Sequence, residues 1–308
     1  MVSIRSTHRL DQSETDAVMD LVNQATDADG FAPLSEHVLL HLRHGGDEGG
    51  QHFLASDREG TLVAYAHLDT TDAVNGPSAE LAVDPRNRRA GVGRAIVTSL
   101  IEASADGGLR LWAHGESDPA GALARSLGFT NTRVLWQMRR SLLAPLPSVT
   151  WPEGVSVRTF RPGEDDDEWL ALNTRAFAHH PEQGEWAMVD LQQRIKEPWF
   201  SAPGFLIAED PATGAIAGFH WTKVHGAGTS HGHEPIGEVY VVGVDPGWHG
   251  RGLGRALTVA GLQYLRSLGL GQAMLYVEAT NTPAIRLYES LAFTRWDTDV
   301  MYQILPHT

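Results

Sequence analysis

The chain of 308 residues contains itself twice, and this repeat limits its architecture more than any other feature. VSIR at Val2 to Arg5 returns as VSVR at Val155 to Arg158. VDPRNRRAGVGRA, from Val83, returns as VDPGWHGRGLGRA, from Val244, which pairs Gly91 with Gly252 and Gly93 with Gly254. LWAHGESDPAGALARSLGF, from Leu111, returns as LYVEATNTPAIRLYESLAF, from Leu275, which pairs Phe129 with Phe293. The blocks keep their order and only the spacing between them changes, as insertions in loops require. At roughly 150 residues per domain, the chain holds two domains. The first covers residues 1–141 and the second 155–308, joined by a linker at 142–154 that Pro145, Pro147 and Pro152 keep stiff and extended.

Within a copy the pattern reads as strands punctuated by helices. FLIAED from Phe205 and IAGFHWTKV from Ile216 are strands about the turn Pro211-Ala212-Thr213-Gly214. EVYVVGV, Glu238 to Val244, is almost wholly apolar and β-branched, as a buried strand should be. Leu257, Ala260, Gly261 and Leu265 follow at helical spacing. A strand at LYVEA, a helix opened by Asn281-Thr282-Pro283 and a last strand at TDVMYQIL complete the copy. The class is α/β with a mixed sheet in each domain.

Composition removes several chemistries. With no cysteine there is no disulfide framework, thiolate metal site or cysteine nucleophile. A net charge of −14 without a basic block argues against nucleic acid and anionic membranes as partners. No apolar run approaches the roughly 18 residues of a membrane span, and the opening MVSIRSTHRLD is unlike a secretory signal. The expectation is a cytoplasmic protein, and the internal duplication makes a monomer sufficient. Lys196 and Lys223 are the only lysines, so Lys223 stands out, and no phosphate-binding Gly-Lys-Ser/Thr loop exists.

RRAGVG and HGRGLG each lie between a strand and a helix. Glycines there allow positive φ and close approach, and the helix N-terminus presents N–H groups to a pyrophosphate. One such turn is weak evidence for a ligand. The dinucleotide fingerprint fails, because its third position falls on Ile96 and Leu257. Two copies, each after Val-Asp-Pro and each followed by a strand and helix ending in Leu-x-Phe, are far more specific.

That pattern, with the Asn-x-x-Ala-x-x-x-Tyr-x-x-x-x-Phe helix of the second copy, resembles the GCN5-related N-acetyltransferase (GNAT) family. FAHHPEQGEW, GFHWTKVH and GEVYVVGVDP resemble a tandem actinobacterial branch of it that acetylates the cysteinyl amine of a cysteinyl–glucosaminyl–inositol pseudodisaccharide. The resemblance covers nearly the whole chain and implies two GNAT acyl-CoA N-acyltransferase domains, acetyl-CoA as donor and no metal. In the first copy it implies donor contacts at Leu81, Ala82 and Val83 and at Arg89, Ala90, Gly91, Val92, Gly93 and Arg94. In the second they fall on Val242, Gly243 and Val244, and on His249, Gly250, Arg251, Gly252, Leu253, Gly254 and Arg255. Asn281, Thr282, Pro283, Ala284, Ile285 and Arg286 complete that set. His249 departs from the usual Arg or Gln, but a cradle of backbone amides tolerates the change.

The copies are chemically unequal. Glu238 aligns with Pro77, Asn281 with Ser117 and Tyr288 with Ala124, so the first domain is expected to be non-catalytic. Acetyl transfer to an amine needs a base, donors for the thioester oxygen and an acid for the thiolate. Glu238 is the candidate base, directly or through a water, although most glutamates are merely solvated. Tyr288 is the candidate acid. It shares a helix face with Ala284 and Leu291, so spacing alone leaves it equally a core residue. An N–H within Val242–Val244 is the expected oxyanion donor, and the lack of cysteine favours direct attack in a ternary complex.

Acceptor contacts implied by the resemblance are Glu36, Glu182, Lys223, Glu238 and Tyr276, with Glu36 reaching across from the first domain. Glu36 reads equally as a helix-start carboxylate beside Ser35. His225, His231, His233 and Glu234 suggest a metal only superficially, and a Gly-rich loop is the better reading. Glu80 is structural. The acidic run Glu164 to Glu168 should be solvated at a helix N-terminus. Two other functions remain open: the same fold acting on an aminoglycoside or a peptide N-terminus, and an acyl-CoA-binding regulatory module without turnover.

Overall fold

The computed structural model describes residues 2–45, 49–72, 76–104, 107–115, 118–178, 180, 183–226 and 234–306. They form two compact units, Met1–Leu135 with Asp297–Thr308, and Trp136–Trp296. The first contains β1 (Ser3–Thr7), α1 (Gln12–Asp29), α2 (Glu36–His44), β2 (Gly50–Ser56), β3 (Leu62–Asp69) and β4 (Ser78–Val83). There follow α3 (Val92–Ala103), β5 (Leu109–Ala113), α4 (Asp118–Ser126) and the start of β6 (Thr130–Ser141). The second unit takes the end of β6, then β7 (Ser156–Thr159), α5 (Asp166–Ala176), α6 (Met188–Ile195), β8 (Phe205–Glu209) and β9 (Ile216–His225). It continues with β10 (Ile236–Val244), α7 (Leu253–Ser267), β11 (Gln272–Glu278), α8 (Thr282–Ser290) and the start of β12 (Thr294–Ile304).

Strand order in unit 1 is β1-β2-β3-β4-β5-β12, and in unit 2 it is β7-β8-β9-β10-β11-β6. Each copy therefore surrenders its last strand to its sibling. β12 runs antiparallel to β5, from Val300 opposite Ala113 to Ile304 opposite Leu109. The driving force is apolar. Tyr302 packs in the unit 1 core with Leu109 and Leu111, while Met138 packs in unit 2 with Leu275 and Phe293. The exchange puts the structural boundaries at residues 135/136 and 296/297, inside strands. The proline segment lies along unit 2, where Gln263 donates to the Pro147 carbonyl at 3.0 Å.

Alternation in β3 builds the layers of unit 1. Tyr65 joins Val18, Leu21 and Val22 of α1, whereas Ala64 and Ala66 join Ile96 and Leu100 of α3. The start of α1 is written locally: Asp11 accepts from the Glu14 N–H and the Glu14 side chain accepts from the Asp11 N–H. In unit 2, Trp169 of α5 stacks edge-on against Phe205, Phe219 and Trp221, while α7 covers the opposite face through Leu257, Leu262 and Leu265. The acidic run is less solvated than expected. Asp165 is buried in a two-pronged pair with Arg158 at 2.7 and 2.9 Å. Thus Arg158, from the repeated VSVR block, ties β7 to the entrance of α5.

Buried histidines give unit 1 a pH signature. Burial, then the neighbouring His41 charge, pushes His52 down to about 4 and His67 down to about 3. Burial also opposes a charge on His114, but Asp299 at 2.9 Å and Glu80 at 3.5 Å prevail and lift it to about 10. As pH falls below about 6.5, the unfolded chain protonates the equivalents of His52 and His67 while the folded chain does not, so stability is lost. As pH rises from about 6.5 toward 10, the unfolded chain releases the His114 proton first, and stability is lost again. The thermal midpoint should therefore peak near neutrality, with about 2 kcal/mol forfeited by pH 5 for each of the two depressed histidines. A midpoint that is flat or monotonic from pH 5 to 9.5 would contradict these assignments.

Candidate active site

β10 and β11 run parallel, yet they pair only at Gly237–Ala273 and Glu238–Met274. Beyond Glu238 the strands diverge, although β10 continues to Val244 and β11 to Glu278. On the other side β10 pairs with β9 along its length, with a bulge between Val239 and Val241. The bulge gives β10 one extra residue, Tyr240, and re-aims what precedes it. β4 and β5 splay in the same way after Ser78–Arg110 and Ala79–Leu111, but the β3–β4 ladder has no bulge. The structural counterpart of Glu238 is consequently Ser78, one residue from the Pro77 that a gapless alignment selects.

Residues paired across strands point to one face of a sheet. Lys223 opposes Glu238, and Tyr276 lies two residues beyond Met274, so Lys223, His225, Glu238 and Tyr276 share a face. Glu238 is buried, and His225 Nε2 lies 2.6 Å from its Oε2. Lys223 is also buried, its Nζ 4.6 Å from the Trp199 ring centre and 5.2 Å from that of Tyr240. The Tyr240 hydroxyl accepts from Arg194 Nε at 2.8 Å, and that guanidinium stacks on Trp186 at 4.0 Å. These aromatic walls hold the Lys223 ammonium and the Arg194 guanidinium by cation–π contact. Tyr276 is half-exposed, and its hydroxyl accepts from Gln137 Nε2 at 2.8 Å.

At the far end of β10, Asp245 caps the turn by accepting from the Gly247 N–H at 2.9 Å. Gly250 and Gly252 take φ of 75° and 83°, and Gly252 opens α7 with no side-chain cap. The first N–H groups of α7, on Leu253, Gly254 and Arg255, then have no acceptor within the helix. This is the donor set a pyrophosphate needs. The sibling loop has the same form, with Gly91 at φ 84°, but Arg89 occupies the left-handed position held by Gly250. The departure at His249 is also accounted for. His249 Nε2 contacts the Val244 carbonyl at 3.1 Å, and Arg88 Nε donates to the equivalent Val83 carbonyl at 3.2 Å. Either side chain ties the loop to its strand.

Asn281 caps α8, accepting from the Ala284 N–H at 3.2 Å, with Pro283 in the first turn. Tyr288, on the same helix, is partly buried against the Phe293 ring, and burial pushes its hydroxyl up to about 12. Gly243 serves packing, since a Cβ there would lie 2.4 Å from the Phe219 ring. Glu36 begins α2 in unit 1, directly after Ser35. Glu182 lies outside the described residues, as do Ser117, His231 and His233. Asn173, bonded to the Gln183 carbonyl at 2.6 Å, holds the chain just after Glu182. Sequence reasoning missed His225, which it assigned to a loop; His225 closes β9 instead. Its alternation with Lys223 toward Glu238 was the available signal. Among the described residues no group of three or more His, Asp or Glu is placed to hold a metal.

The splay in unit 1 is filled differently. Glu80 is buried, accepts from the Ser35 N–H at 2.5 Å and faces His114, which in turn faces Asp299. Asp299 also accepts from the Gly115 N–H at 2.9 Å. Burial alone would raise the Glu80 carboxyl, but His114 and Ser35 hold it below the ordinary range. His114 thus ties the Glu80 and Asp299 carboxylates to itself.

Residues 167–293 match a model described as the acetyltransferase (GNAT) family, and residues 48–131 match an acetyltransferase (GNAT) domain. A mycothiol acetyltransferase of Acidothermus cellulolyticus is 57% identical, over 93% of this chain and 90% of that protein. One of Salinispora arenicola is 54% identical, over 97% and 96%. Among solved structures, a tandem GNAT protein from the clavulanic acid biosynthesis pathway superposes with a TM-score of 0.76 at 20% identity, covering 100% of both chains. A GCN5-related N-acetyltransferase from Sphaerobacter thermophilus gives 0.70 at 26% identity, covering 98% of this chain and 95% of that one. The chain belongs to the mycothiol acetyltransferase family, with a GNAT domain in each half of the sequence.

Proposed function

We propose that unit 2 transfers the acetyl group of acetyl-CoA to the cysteinyl amine of a cysteinyl–glucosaminyl–inositol pseudodisaccharide, yielding mycothiol. The observation that carries this reading is the shared face of Lys223, Glu238 and Tyr276 where the splay begins, with the loop of free amides beyond the other end of β10. From Glu238 to Val244 the strand spans about 20 Å, room for the extended arm between pyrophosphate and thioester. Acetyl-CoA supplies the acetyl group as a thioester; the chain supplies proton handling and position.

Glu238 removes one proton from the acceptor ammonium and frees the nitrogen lone pair for attack. A free α-amine titrates near ~8, so a carboxylate needs only to be close to it, directly or through one water. An N–H of Val242–Val244, freed by the splay, donates to the carbonyl oxygen as negative charge develops there. Tyr288 donates to the leaving sulfur; pushed up to about 12, its hydroxyl stays protonated at neutral pH. The nitrogen's second departing proton balances that donation through solvent, and the net release is one proton. Without cysteine no acyl-enzyme of that kind forms, so both substrates are bound together.

No helix among the described residues is long and apolar enough to cross a membrane. The test is thiol release from acetyl-CoA across a panel of amines. The pseudodisaccharide should exceed an aminoglycoside or a peptide N-terminus by at least about 10²-fold in kcat/KM, because a site built for its hydroxyls leaves polar groups unpaired with the others. Equal rates across the panel would remove the acceptor assignment while leaving the acetyltransferase intact.

A further inference from the structure

His225 ends β9, two residues after Lys223, and reaches the Oε2 of Glu238 at 2.6 Å. Its side chain is 35% exposed while that of Glu238 is 9% exposed, so the imidazole connects a buried carboxylate to solvent. A carboxylate can only accept, so at this distance it takes the N–H of Nε2. With Oε2 so engaged, Oε1 retains lone pairs for an acceptor amine or a water. Other ionisable or charged groups on this face or beside it, among the described residues, include Lys223 on β9, Tyr240 on β10, Tyr276 on β11, and Arg194 on α6, which donates to the Tyr240 hydroxyl.

We infer that His225 is the positioning residue of the base: its Nε2–H fixes Glu238 so that Oε1 faces the acceptor amine. This rests on Glu238 being the base.

The experiment compares kcat, both KM values and the pH–rate profile of His225→Ala and His225→Gln with wild type. His225→Ala should lower kcat on the order of 10–100-fold, as misplacement of a reacting group does. Its KM for acetyl-CoA should stay within about 2-fold, since the loop at α7 is untouched. His225→Gln keeps an N–H donor, so it should recover most of kcat, a rescue that a merely structural role would not give. In the ligand-free wild type, the ¹⁵N imidazole signals should show Nε2 carrying the proton, and Glu238→Gln should shift the His225 titration. If Glu238→Gln is inactive while His225→Ala keeps the wild-type rate and profile, the inference fails and the base survives. If Glu238→Gln is fully active, the base itself is wrong. Should His225→Ala not fold, an unmoved His225 titration in Glu238→Gln would overturn the inference alone.

Discussion

Gly261→Ala should destabilise unit 2 by about 3 kcal/mol, although helix propensity alone favours alanine by about 1 kcal/mol in a helix interior. Gly261 lies mid-α7, where an added Cβ would sit 2.0 Å from His220 Cε1 and 2.1 Å from Nδ1. His220 cannot retreat. It is fully buried, and its Nδ1 contacts the Leu257 carbonyl at 2.7 Å. Burial pushes its pKa down to about 4, so at neutral pH the ring stays uncharged and packed. α7 would have to lift from the sheet, and α7 also presents the loop amides. A loss of about 3 kcal/mol should lower the thermal midpoint by about 6–12 °C for a unit of this size. A midpoint equal to or above that of wild type would show that the clash relaxes freely.

Glu238→Gln should lower kcat by about 10²–10³-fold with little change in either KM. The amide is nearly isosteric and can still accept from the His225 N–H, so the pair's geometry and the β9–β10 ladder persist. What disappears is the capacity to take a proton. Among the described residues, the Tyr288 hydroxyl, raised to about 12, stays protonated and cannot take over that task. Nor can unit 1 stand in. Its counterpart position holds Ser78, and the nearby Glu80 is committed to Ser35 and His114.

Much of this was readable from residue order, and the exceptions share a cause. The strand at Glu238–Val244, the Gly turns and the helix opened by Asn281 follow from local composition, and the folded chain has them within a few residues. The repeat exposed the imbalance between copies. Three features escaped because they depend on partners distant in the chain. The bulge at Tyr240 shifts register without a local mark, so alignment chose Pro77 over Ser78. The exchange of β6 and β12 is a choice between two similar sheets, which the local pattern of either strand does not specify. The His114–Asp299 pair joins residues far apart in sequence, and neither neighbourhood announces it. His225 differs: it closes an apolar strand and was grouped with the histidines that follow it. Asp165 likewise took its partner, Arg158, from a neighbouring strand rather than from solvent.

The central assertion is that a carboxylate on the bulged strand of the second half removes the proton. The most direct measurement is thiol release by wild type and Glu238→Gln, with the cysteinyl pseudodisaccharide, from pH 6 to pH 9.5. A free α-amine near ~8 increasingly sheds its own proton over that range. The deficit of Glu238→Gln should thus be greatest at pH 6 and shrink progressively toward pH 9.5. A variant that matches wild type throughout, or whose deficit is constant with pH, would contradict the assignment of Glu238 as the base.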